Sequence, residues 1–91
     1  MPELARMKAA VQAICKALGV GPEYLSIVLA VGASEGLMTK QAIYDSGESS
    51  RTARRRIERL QKKGLIEARA SEADKRATLL FLSPKAKAAL A

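Results

Sequence analysis

The residue pattern predicts a mainly α-helical fold finished by one small β-hairpin, and three observations predict it. Apolar residues recur at helical spacing in the segments before Gly64. After Gly64 the spacing changes to strand-like runs, "LIEARA" and "ATLLFL", separated by the polar "SEADKR". Ser83-Pro84 then supplies a helix cap and a first-turn proline for a short final helix.

The elements follow in order. Residues 3–18 carry Leu4, Met7, Val11, Ile14, Cys15 and Leu18, an i, i+3, i+4 stripe expected to form one face of a first helix. Gly19-Val20-Gly21-Pro22 breaks it, and Pro22 suits the opening turn of a second. "PEYLSIVLAV" is mostly apolar, so this second helix should be buried on most sides. Thr39 is positioned to cap a short third helix through Ser46, with Ala42 and Ile43 inward. "DSGESS" is a tight turn in which Gly47 can take a positive φ. Ser49 or Ser50 caps the fourth helix, whose inward stripe is Ala53, Ile57 and Leu60, and Gly64 stops it. "SEADKR" is too long for a two-residue turn, so the hairpin should protrude. In this order the elements make a winged helix-turn-helix. A single domain over 1–91 is expected, with an N-terminal helix over 1–19, a winged core over 22–82 and a short helix over 83–91.

Charge is divided unevenly. Residues 1–50 hold four Lys or Arg and five acids, a net of −1; residues 51–91 hold twelve and four, a net of +8, which together give the chain's +7. Such asymmetry points to a polyanion-facing side. It concentrates in "SRTARRRIERLQKKG", seven cations against the single acid Glu58. On a helix Arg51, Arg55 and Arg59 stack at i, i+4, and each like-charged pair costs roughly 0.2–0.5 kcal/mol. A phosphate-walled groove offsets that repulsion. The major groove of B-DNA admits a helix and shows a distinct pattern at every base pair, so double-stranded DNA is the expected partner.

Position along the fourth helix sorts the roles. In this motif the N-terminal part points at base edges and later residues run to the backbone. Arg51, Thr52, Arg54 and Arg55 are therefore candidate base readers. Thr39, Lys40, Gln41, Ser49, Arg59, Lys62 and Lys63 are candidate phosphate contacts, which hold register without reading sequence.

The segment "SEADKRATLLFLSPKAK" resembles the wing of the MarR family of bacterial regulators, an Asp-x-Arg followed by an apolar strand and a Ser or Thr starting the next helix. The matching residues are Asp74, Arg76, Leu80, Leu82 and Ser83, and "SSRTARRRIERLQKKGLIEAR" is similar to that family's recognition helix with its terminating glycine. The likeness covers roughly residues 22–88. It implies a wing, 71–76, whose Arg76 enters a minor groove with Asp74 orienting it and Lys75 beside it. Narrow minor grooves concentrate negative potential and attract arginine. The resemblance further implies transcriptional regulation, repression by steric exclusion rather than activation, and a homodimer. Family members usually carry longer terminal helices that build the dimer and often a ligand pocket beneath it. Here the last helix has barely two turns before Ala91, so a small-molecule effector is not expected.

Leu4, Met7 and Val11 on the first helix are candidate dimer or partner contacts. Phe81 is another, because strand alternation turns it outward when Leu80 and Leu82 face in. Cys15 lies on the apolar stripe with only Lys16 beside it, and reads as a small hydrophobe rather than a sensor. No histidine, cysteine cluster or glycine-rich phosphate loop is present, so no catalytic residue, metal ligand or cofactor is expected. No apolar run approaches the ~20 residues of a membrane span, and no signal peptide is recognisable. With a single cysteine, a cytoplasmic protein is expected. Two other functions fit the pattern: a DNA-binding accessory protein in replication, partition or transfer of a mobile element, and a winged-helix module whose basic half docks an acidic protein.

Overall fold

The computed structural model describes residues 2–91. Helix α1 runs Pro2–Leu18 and ends at Gly19, whose φ of +67° lets the chain reverse while the Val20 N–H donates to the Cys15 carbonyl. A 3-10 turn, Pro22–Tyr24, then leads into α2, Leu25–Ala33, and the stretch Pro22–Ala33 lies at 95° to α1. Strand β1 is Leu37–Met38, α3 is Thr39–Ser46, α4 is Ser50–Lys62, β2 is Ile66–Ala70, β3 is Thr78–Leu82 and α5 is Pro84–Leu90.

The sheet is antiparallel with strand order β1-β3-β2. Leu80, inward on β3, faces Leu37 across one ladder and Ala68 across the other. The third strand, β1, is an addition to the predicted hairpin. Two residues are too few to show a period of two, and the strand exists because β3 offers them an edge. The neighbouring Gly36 N–H extends the pairing to the Leu80 carbonyl.

The core is built where α2, α3, α4 and the sheet converge: Ile27, Val28, Val31, Ala42, Ala53, Ile57, Leu60, Leu65, Ile66, Leu80 and Leu82, closed by Ala86 of α5. The predicted inward residues of α4 and β3 are thus buried. The α1 stripe divides along its length: Leu18 is buried and Ile14 packs on the core, whereas Leu4 and Met7, two of the candidate dimer or partner contacts, are 59% and 63% exposed. Helix α2 buries Leu25, Ile27, Val28 and Val31 and leaves Leu29 56% exposed. A Lys87–Glu35 ion pair of 2.9 Å ties α5 to the loop after α2.

Thr39 does not cap α3. The cap position is Met38, and the Thr39 hydroxyl donates instead to the Thr78 carbonyl at 3.2 Å, because β1 sets the helix start beside β3. Helix α4 ends in two reversed bonds, Gly64 N–H to Gln61 O and Leu65 N–H to Leu60 O, with Gly64 at φ +74°. This pattern stops the helix within one residue and sends Leu65 and Ile66 directly into the core. Ser83 caps α5 by accepting the Ala86 N–H, which satisfies an otherwise buried hydroxyl.

Candidate nucleic-acid interface

The basic helix is held at its N-terminus. Ser49 is the cap, accepting the Thr52 N–H, and its hydroxyl also donates to the Thr52 hydroxyl at 2.9 Å. With Ala53, Ile57 and Leu60 buried, Arg51, Arg55, Arg59 and Lys62 stand exposed on the outside of the helix. Arg54 is also exposed, and its Nε lies 3.4 Å from the Ser50 hydroxyl.

Arg56 differs from its neighbours. Its guanidinium donates to the Glu48 carboxylate and, at 2.9 Å, to the Glu23 carbonyl, and Ser26 donates to the same Glu48 oxygen at 3.2 Å. One half-buried ion pair therefore ties α4 to the turn before it, to α2 and to the 3-10 turn. The other Glu48 oxygen is buried with no hydrogen-bond partner among the described residues. Glu48 and Arg56 lie eight residues apart on different elements, so no periodicity in the sequence links them.

A cleft of about 560 Å³ separates α4 from the hairpin. Arg54, Glu58 and Gln61 form its helix wall, and Asp74, Arg76, Ala77 and Thr78 its wing wall; Thr39 and Lys40 come from α3. Ile57, Ala68 and Leu80 also line it. The structure thus brings Thr39, Lys40, Arg54, Asp74 and Arg76 to one concavity, together with Glu58 and Gln61, which carry no sequence expectation. Their spacing of four and seven residues from Arg54 is the signal that marks them as sharing its face.

The remaining candidates are placed as follows. The Gln41 amide donates to Asp45 at 2.8 Å, along its own helix. The Lys63 ammonium lies 3.4 Å from the Gly19 carbonyl at the end of α1, and Lys85 reaches the Lys63 carbonyl at 3.2 Å. In the wing loop Asp74 accepts the Arg76 backbone N–H at 3.0 Å, its own N–H donates to the Ser71 hydroxyl, and Lys75 is exposed. The expected orientation of Arg76 by Asp74 therefore acts on the backbone turn and not on the guanidinium; no Asp74–Arg76 ion pair forms among the described residues. Phe81 faces the outer side of the sheet and is only half-buried, but the Arg69 guanidinium covers it, 4.5 Å from the ring centre. Val11 is half-buried beside the exposed Leu4 and Met7.

No family model and no curated protein matches the sequence. Solved structures do. A MarR family transcription regulator aligns over 98% of this chain and 59% of its own, at 24% identity and a TM-score of 0.76. S. aureus MepR, solved in complex with DNA, aligns over 94% of this chain and 71% of its own, at 16% identity and a TM-score of 0.76. FabT from Streptococcus pneumoniae, also solved with DNA, aligns over 76% and 48%, at 25% identity and a TM-score of 0.65. The chain spans about three-fifths of the length of the first of these. The element order, the three-stranded sheet and these alignments agree: the chain has a MarR-like winged-helix fold.

Proposed function

We propose that this chain binds duplex DNA sequence-specifically and regulates transcription, acting as a repressor by occluding its site. The observation that carries the reading is the cleft: α4, with Arg54 in its wall and Arg51, Arg55, Arg59 and Lys62 exposed beyond it, and an arginine-bearing hairpin stand on its two sides. That arrangement suits a helix in one major groove and a wing in the adjoining minor groove. Arg51, Thr52, Arg54 and Arg55, at the N-terminal end of α4, are the base readers in this arrangement. An arginine donating twice to guanine O6 and N7 gives ~1–3 kcal/mol of discrimination. Thr39, Lys40, Ser49, Arg59 and Lys62 hold phosphates, and Lys75 and Arg76 reach the minor groove. Gln41 and Lys63, which have partners within the chain, contribute less. That MepR and FabT were solved on DNA supports the same partner here.

A homodimer belongs to the proposal. The chain exposes 6296 Å², against ~5,100 Å² for a compact monomer of this mass. The surplus includes Leu4 and Met7 on α1, which a second copy would cover.

Selection from a random duplex pool at ~0.15 M salt, where non-specific affinity falls to ~10⁻⁴–10⁻⁶ M, tests the reading. Wild type is expected to enrich an inverted repeat, and Arg55→Ala to relax one position in each half-site. Absence of any enriched motif would replace this reading with a backbone- or protein-binding module.

A further inference from the structure

Glu58 is the only acid on α4, and it stands in the wall of the cleft between Arg54 and Gln61. It is exposed and forms no ion pair among the described residues, although three cations, Lys40, Arg54 and Arg76, line the same concavity. The other acid there, Asp74, is engaged in the wing turn through the Arg76 N–H. Glu58 is therefore the one carboxylate aimed into this space without a structural task.

What would occupy that space follows from the DNA-binding reading, on which this inference rests. A helix in a major groove and a wing in the adjacent minor groove leave between them the sugar-phosphate strand that separates the two grooves. A carboxylate on the wall then meets phosphate oxygens, which accept but do not donate, so no hydrogen bond offsets the repulsion. Of the base-reading candidates only Arg54 shares this wall; Arg51, Thr52 and Arg55 lie outside the cleft, toward the helix N-terminus.

We propose that Glu58 is an electrostatic brake, a carboxylate that repels the DNA strand running through the cleft and lowers affinity for every duplex by the same factor. Sequence choice stays with the arginines at the helix N-terminus. Backbone contacts supply essentially all of non-specific binding, so a helix carrying this many cations needs one opposing charge to release the wrong sites quickly.

The test compares wild type, Glu58→Gln and Glu3→Gln on a random-sequence duplex and on the duplex enriched from the pool. Glu3→Gln removes the same charge from exposed α1, far along the chain from the cleft. Glu58→Gln is expected to tighten both duplexes by about three- to tenfold at ~0.1 M salt, the gain shrinking as salt screens it. The ratio between the two duplexes should hold within about twofold, while Glu3→Gln moves neither by as much. Unchanged binding in Glu58→Gln overturns the brake and leaves the DNA reading standing. A fall in the ratio makes Glu58 a base reader, accepting from cytosine N4, and also overturns it. Equal gains in both variants reduce it to net charge. Wild type that binds no duplex overturns the DNA reading itself, and the brake with it.

Discussion

The two arms that frame the cleft are held in opposite ways. The N-terminal end of α4 is fixed by a cap at Ser49 and by the Arg56–Glu48 pair, which draws in Ser26 and the Glu23 carbonyl from other elements. The wing loop is fixed only by itself: Ser71, Asp74, Arg76 and Ala77 bond to one another, and no bond from its tip reaches the body of the molecule among the described residues. Both arms carry arginines, but one presents them from a braced rod and the other from a self-contained turn. A site that compares hydrogen-bond patterns needs the first kind of support. One that follows groove width can use the second.

The brace offers the largest effect. Arg56→Met leaves Glu48 half-buried without its cation, the two side chains being 24% and 22% exposed in the pair. A loss of about 1–3 kcal/mol in urea unfolding is expected. Affinity for the enriched duplex should fall more than affinity for random DNA, because the helix keeps its charges but loses its fixed aim. Ser49→Ala comes next. Losing a cap costs about 1 kcal/mol, and because Ser49 also holds the Thr52 hydroxyl, discrimination at the position nearest Thr52 should weaken with it. The smallest change in stability is expected from Asp74→Ala, within about 0.5 kcal/mol of wild type by thermal unfolding. Its effect should appear instead as a several-fold loss of affinity confined to the flank of the site. If Asp74→Ala destabilised the fold as much as Arg56→Met, the contrast between the arms would collapse.

What the sequence discloses follows the same division. Periodicity made Ala53, Ile57, Leu60, Leu80 and Leu82 legible as inward positions, and Gly64 legible as a helix stop, because burial and reversal act through residues close in the chain. On α1 the same logic goes less far: a stripe of Leu4, Met7 and Val11 records that a face is apolar, not what covers it. Thr39 shows another limit. A hydroxyl at a helix start reads as a cap accepting a backbone N–H, but Thr39 is already the first helical residue, and its hydroxyl donates to the carbonyl of Thr78, 39 residues on. The Glu48–Arg56 pair and the role of Asp74 in a backbone turn were illegible for this reason. Each depends on where separate elements meet.

The sharp joint after α4 has a consequence for how such a chain can change length. Only Lys63, Gly64 and Leu65 separate the helix from β2, and the residues that leave that corner, Leu65 and Ile66, are core. One inserted residue there would turn the strand over, sending Glu67 and Arg69 inward and Ile66 out. At the tip of the hairpin an insertion disturbs nothing beyond the tip. Variation in length is thus channelled to one address, and the reach of the wing can drift across generations, or be set by a designer, while the angle of α4 stays as it is.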